Sequence, residues 1–275
     1  MTAPDRDTSG SAHAPSDAAS AAPDSDVAPE AASASAPAST AAHPLDSVVW
    51  SSLTGPHAYF ALGNAGARRY PPDVSPFAAL DPALGYHPDR DGERWAALAD
   101  LVSPGGTATL SGPPALIARM PAGWKIGLRL PGVQMIAAEA LISGPDPEAV
   151  VLGDSDVPEM LDLVRRTEPG PFAARTHTTG TYLGIRRNGA LIAMAGERMH
   201  PPGHTEISAV CTDPAFRGQG LAARLIRAVA HGIRGRDETP FLHAAQSNTA
   251  AIGLYQSIGF VVRRRPEFFF LHAPA

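Results

Sequence analysis

The sequence predicts a mixed α/β fold of the α+β kind, and three observations carry that prediction. Asn188-Gly189 separates two alternating apolar runs, the strongest short-range hairpin signal. A strand at 205–212, a glycine-bearing turn and an amphipathic helix to about 234 then follow in order. A strand, a helix and a last strand pair complete the chain, so antiparallel strands precede a β-turn-α-β-α-β run.

Residues 1–44 contain no aromatic residue, no Leu and no Ile, and Val27 is their one valine. Such a stretch buries too little apolar area to offset its ordering entropy, so a disordered tail is expected. It lacks the basic start and apolar run of a secretory leader. Six acids (Asp5, Asp7, Asp17, Asp24, Asp26, Glu30) and one base (Arg6) give it the whole formal net charge of −5. The rest is charge-balanced, which gives no electrostatic case for nucleic acid or an anionic membrane. No apolar run is long enough to span a bilayer. The lone Cys211 excludes an internal disulfide framework and suits a reducing, cytoplasmic setting.

Residues 45–145 carry mixed signals, and no catalytic motif is found there. A strand is expected at 58–62, and a helix at 93–102 with Trp95, Leu98 and Val102 on one face. Further strands are expected at 107–111, 126–130 and 133–142. The turn formers Ser143-Gly144-Pro145-Asp146-Pro147 mark a boundary. On that division 45–145 is a divergent α/β domain, a degenerate half of the downstream fold, and 146–275 is the second domain.

Downstream the pattern is cleaner. A strand at 149–152 leads to a helix capped near Asp156, with Met160, Leu161 and Val164 on its apolar face. Strands 181–187 and 190–198 form the hairpin, and strand 205–212 follows. The helix after the glycine turn places Leu221, Leu225, Val229 and Ile233 on one face and ends near Gly235. A strand at 241–245, a helix at 248–257 capped by Gly259, and strands 260–264 and 267–272 complete the reading.

The turn Arg217-Gly218-Gln219-Gly220-Leu221-Ala222 is the informative motif. The first N–H groups of a helix lack internal partners and favour an anion, and glycines let a phosphate approach closely. Gly218, Gly220 and Ala223 also fit a loose dinucleotide fingerprint, but the next strand, 241–245, ends without the acidic residue that would hold a ribose. No P-loop GK[ST] exists in the chain.

Arg217 with Gly220 and Ala222 fits R-x-x-G-x-G/A, and Asn248, Tyr255 and Gly259-Phe260 follow as N-x6-Y-x3-GF. In this order, over residues 148–275, the chain resembles the GNAT superfamily of acyl-CoA-dependent N-acetyltransferases. The resemblance implies a central, mostly antiparallel sheet splayed at the acyl-CoA site. It implies acetyl-CoA as donor, with its pyrophosphate on the amides of Gly218, Gln219, Gly220, Leu221 and Ala222 beside Arg217. It places pantetheine against Val210, Cys211 and Thr212 and near Asn248, and an amide near Val210 on the acetyl carbonyl. It makes Tyr255 the acid that protonates the leaving thiolate. Asn248 also fits a helix cap, and Tyr255 a core position.

An amine acceptor arrives mostly protonated at neutral pH, so a base is apt. The resemblance points to a carboxylate on the strand 205–212, which is Glu206; a solvated or Arg198-oriented glutamate is the plain alternative, and Glu197 is the reserve. Strand alternation puts Glu206, Ser208 and Val210 on one face and Cys211 on the other. No metal is expected: His200 and His204 flank a turn without an evident third ligand, and line the acceptor side as an alternative. Arg263-Arg264-Arg265 reads as a solvated run, or as contacts to an adenosine phosphate. The acceptor is an amine of a small molecule or peptide. It is expected to meet the loops at 168–172, 173–180 and 199–205. A non-catalytic acyl-CoA-binding sensor is the alternative from a different class.

Overall fold

The computed structural model describes residues 43–84 and 88–275. Residues 1–42 of the expected tail lie outside the described residues. The 3₁₀ turn Pro44–Asp46 buries Leu45, and helix α1 (Val48–Leu53) buries Val48, Val49 and Leu53. Strands β1 (Leu62–Gly63), β2 (Ala67–Arg69) and β3 (Ala78–Leu80) form a small antiparallel sheet. The strand expected at 58–62 is mostly a 3₁₀ turn, Ala58–Phe60, because the amides of Phe60 and Ala61 turn back to His57 and Ala58.

Helix α2 (Pro88–Leu101) presses Trp95 and Leu98 onto strand β4 (Thr107–Gly112). Strand β5 (Lys125–Ala137) is one long strand where two were expected. Pro131 marks its change of partners rather than a break. The proline has no N–H to donate, but its carbonyl accepts from Gln246. Next to it, a Cβ on Gly132 would stand 2.5 Å from the Phe268 ring, so this close approach requires glycine.

Strand β6 (Val150–Leu152) and helix α3 (Val157–Thr167) follow, with Met160 and Leu163 buried. Strands β7 (Tyr182–Arg187) and β8 (Ala190–Glu197) form the expected hairpin. Strand β9 (His204–Thr212), helix α4 (Leu221–Arg234), strand β10 (Thr239–Ala245), helix α5 (Thr249–Ile258) and strands β11 (Phe260–Arg264) and β12 (Glu267–His272) complete the chain.

Among the described residues nine strands join in one sheet, ordered β4-β12-β5-β10-β9-β8-β7-β6, with β11 also on β5. All its pairs are antiparallel except β9 with β10. Strands from both sides of residues 143–147 thus share one sheet, and the described residues form one compact unit. On one face Leu221, Leu225, Val229 and Ile233 of α4 and Tyr255 and Ile258 of α5 pack on Ile207 and Leu242. The other face carries α3 on Met194 and Cys211, and α1 with Phe77 around Phe241. Burial of these aliphatic and aromatic side chains, at about 25 cal/mol per Å² of apolar surface, is what fixes the register of each strand.

Candidate active site

Strands β9 and β10 pair only from His204 with Thr239 to Ile207 with Leu242. Beyond that point they separate, because each is held by its outer neighbour. Strand β9 stays on β8 as far as Thr212, and β10 stays on β5 as far as Ala245. The gap is the expected splay, and it opens into a cavity of about 700 Å³.

A bulge shapes one edge of this gap. Gly196 opposes Ser208 and Met194 opposes Cys211, so two residues of β9, Ala209 and Val210, stand against one of β8. Ala209 takes the left-handed conformation at φ +51°, which is uncommon for a residue with a Cβ. The extra residue changes which side chains share a face. Val210 packs with Ile207 beneath α4, whereas Cys211 joins Ala209 beneath α3. Strict alternation, which put Val210 on Glu206's side and Cys211 opposite, is therefore corrected: Glu206 lies beside Phe241 on the α3 face, where Cys211 also points.

The glycine turn closes the cavity at the N-terminus of α4. Gly218 and Gly220 have φ of +78° and +72°, a backbone that favours glycine at both positions. Val210, Cys211, Thr212, Arg217, Gly218, Gly220, Leu221, Ala222, Asn248 and Tyr255 all line the cavity, and Gln219 does not. Arg217 Nε donates to the Thr212 carbonyl at 3.3 Å, which ties the turn to the end of β9. Asn248 caps α5, its Oδ1 accepting from the Ala251 amide at 3.1 Å, and its side chain still borders the cavity. Tyr255 is buried on the same wall, and burial pushes its phenol up to about 12. It is thus a protonated donor at neutral pH. Burial also pushes the Cys211 thiol up to about 11, which makes it packing rather than a nucleophile.

Glu206 does not line the cavity. It is wholly buried, and Arg198 grips both its oxygens, Nε to Oε2 at 2.9 Å and Nη2 to Oε1 at 2.8 Å. His243 Nδ1 lies 2.7 Å from Oε1. Burial alone raises this carboxyl's pKa, but the Arg198 charge and the His243 contact outweigh it and hold it at about 2. The Gln134 side-chain amide donates to the Leu45 carbonyl at 2.9 Å, and its oxygen accepts from Arg263. That orientation turns its nitrogen toward His243 Nε2 at 3.1 Å, so Nε2 accepts and Nδ1–H donates to Glu206. Arg198 and His243 themselves reach the cavity wall. Glu197 is turned away, bonded to Arg236 at 2.9 Å and to the Thr181 amide.

Of the three loops expected on the acceptor side, residues 168–171 line the cavity, whereas 173–180 and 199–205 do not. Arg263 and Arg264 are drawn to Asp46. Phe77, Leu130, Phe268 and Phe270 also line the cavity and were not anticipated. They come from residues up to 193 positions apart in the chain, and no local spacing marks them. Among the described residues no group of three or more His, Cys, Asp and Glu is disposed to hold a metal ion, and no helix is long and apolar enough to cross a membrane.

Comparison with known proteins adds independent findings. The FR47-like protein family matches residues 182–269. A crystal structure of a GNAT-family protein from Novosphingobium aromaticivorans is 42% identical, with a TM-score of 0.76, over 85% of this chain and 100% of that one. The N-alpha-acetyltransferase RimI of Mycobacterium tuberculosis is 37% identical over 82 residues, 29% of this chain and 51% of RimI. An uncharacterised protein of Mycobacterium leprae is 28% identical over 180 residues, 57% of this chain and 47% of that protein. The chain spans about half the length of these two curated relatives.

Proposed function

The chain belongs to the GNAT family of acetyltransferases, being 42% identical to a structure of that family whose whole length it covers, and we propose that it moves an acetyl group from acetyl-CoA to a primary amine. The observation that carries this is the one continuous cavity joining the glycine turn, the β9–β10 gap and Tyr255. The left-handed glycines and the start of α4 form an anion cradle for the pyrophosphate, with Arg217 adding charge. The unpaired edge of β9 offers its peptide groups to pantetheine. The interruption at the Ala209–Val210 bulge supports an amide directed at the thioester carbonyl.

In this reading the amine nitrogen attacks the thioester carbon, the C–S bond breaks, and the Tyr255 hydroxyl protonates the departing thiolate. The proton shed by the amine passes toward Glu206 by way of His243, because His243 borders the cavity and Glu206 stands behind it. Glu206 thereby stabilises a charged imidazole as a buried carboxylate does in other acid–base pairs. Gln134 must yield Nε2 of His243 for that step. The relative RimI is named an N-alpha-acetyltransferase, which supports an α-amine of a peptide or protein as one acceptor. The free thiol of Cys211 supports a reducing, cytoplasmic setting.

A second reading is a non-catalytic acyl-CoA-binding module, favoured by one observation: both oxygens of Glu206 are occupied. Calorimetric titration with acetyl-CoA, paired with CoA release in the presence of an amine panel, separates the two. Binding followed by amine-dependent CoA release is expected. Binding without release on any amine favours the module.

A further inference from the structure

The cavity passes through the strand gap to the far face of the sheet, where Phe77, Leu130, Phe268 and Phe270 wall it. In the β12–β5 ladder Phe268 opposes Leu130 and Phe270 opposes Leu128, so these four side chains share one face. Leu128 is 52% exposed and carries the apolar wall out to solvent. Arg198 on this side is already neutralised by Glu206, and its guanidinium lies 4.9 Å from the centre of the Phe77 ring. The other lining arginine, Arg217, belongs to the glycine turn.

One carboxylate, Glu168, stands among the described lining residues. It occupies the left-handed C-cap of α3 at φ +48°, a position that glycine or asparagine fills more readily. Pro169-Gly170-Pro171 follows and also lines the cavity. The geometry points to an acceptor that is a primary amine bearing an apolar or aromatic side chain, its ammonium at Glu168 and its side chain against the Phe268–Phe270 wall. This rests on the acetyltransferase reading above. An acidic acceptor would meet no unpaired cation on this side among the described residues. A long acyl chain on the donor would fill the wall but leave Glu168 without a partner.

The test uses the full chain with saturating acetyl-CoA and follows initial CoA release with glycinamide, aspartic acid amide, leucinamide and phenylalaninamide. The leucine and phenylalanine compounds are expected to exceed glycinamide in kcat/KM by on the order of tenfold or more. Glu168→Gln is expected to raise KM for them several-fold while kcat changes little. Leu128→Ser, at an exposed position, is expected to narrow the preference. Equal kcat/KM for glycinamide and phenylalaninamide overturns the acceptor assignment and leaves acetyl transfer standing, as does a preference for the acidic amide. Faster release from octanoyl-CoA than from acetyl-CoA, without side-chain preference, gives the wall to the donor and overturns it too. No release with any amine overturns the acetyltransferase reading itself.

Discussion

Arg198 holds both oxygens of Glu206 inside the protein, at 2.9 and 2.8 Å, and leaves the carboxylate with no face on the cavity. Any part Glu206 plays in proton transfer must therefore run through His243, 2.7 Å away. If the two act as a unit, their losses do not add. Glu206→Gln and His243→Gln are each expected to lower turnover by on the order of 10²-fold, and the double variant by little more than either alone. Turnover in Glu206→Gln that is unchanged across the pH range would remove the proton-transfer role. Stability gives a separate readout. Stranding the Arg198 charge is expected to cost about 3–5 kcal/mol in chemical denaturation, and replacing both partners with apolar residues to recover most of it.

Acid sensitivity has one source at the contact between His57 and His200. Their ring centres lie 4.6 Å apart with the planes tilted by 33°; His57 bonds the Tyr70 hydroxyl and the Thr179 carbonyl, while His200 faces Thr205, Glu197 at 3.7 Å and the charges of Arg236 and Glu206. Burial lowers both rings to about 4, aided by His200 acting on His57 and Arg236 on His200. A depressed histidine contributes stability above its unfolded pKa near 6.5, and that stability is lost as pH falls toward about 4. Glu206 contributes in a lower window, losing its share as pH falls from about 4.5 toward about 2. Denaturation midpoints are thus expected to drop steadily from pH 6.5 to 4. A His57→Gln variant should show a flatter slope over that interval, and an equal slope would remove the histidine pair as the cause.

Tyr255 is the side chain whose role is cleanest to separate from folding. Its phenol, pushed up to about 12 by burial, stays protonated through the neutral range. Tyr255→Phe keeps the ring in the cluster with Ile258 and Phe260 and deletes only the proton donor. An unfolding midpoint close to that of the unaltered protein, with kcat lowered on the order of 10²-fold, is the expected pair of results. An acetyl thioester with a more acidic leaving thiol should narrow the deficit, since such a thiolate needs less protonation. Full turnover in Tyr255→Phe would exclude the acid role.

What was legible in the sequence was local. The Asn188-Gly189 turn, the strand before Arg217, the glycine turn and the Asn248–Tyr255–Gly259 helix are all set by neighbouring residues, and each stands where its spacing placed it. Three features were not legible, for three physical reasons. Strand β5 joins β10 to β12 through partners more than 100 positions away, and periodicity within 126–142 carries no record of them. The bulge at Ala209 lacks the glycine that would announce a positive φ, so alternation was carried straight through it. The sequence offers Glu206 as a base or as a solvated or Arg198-oriented glutamate, and its full burial is not legible because His243 and Gln134, which complete its surroundings, come from separate strands. The cavity therefore divides into a glycine turn written locally and an apolar wall assembled at long range.

The cradle gives the last prediction, because its glycines have space around them. A Cβ at Gly218 or Gly220 would meet nothing within 4 Å, so alanine there costs only the strain of φ +78° or +72°, about 1–2 kcal/mol. Relief of that strain is expected to turn the amides away from the orientation proposed to serve an anion. Gly220→Ala is therefore expected to weaken acetyl-CoA binding by more than tenfold while stability falls by no more than about 2 kcal/mol. Gly232, in the body of α4 with equally open surroundings and ordinary helical φ, is the control: alanine there should stabilise by about 0.5–1 kcal/mol and leave binding alone. Arg217→Ala removes charge rather than geometry, so its several-fold loss of affinity should shrink as ionic strength rises, whereas the Gly220→Ala loss should persist. Calorimetry at low and high salt distinguishes these outcomes. Acetyl-CoA affinity in Gly220→Ala equal to that of the unaltered chain would remove the turn from the binding site.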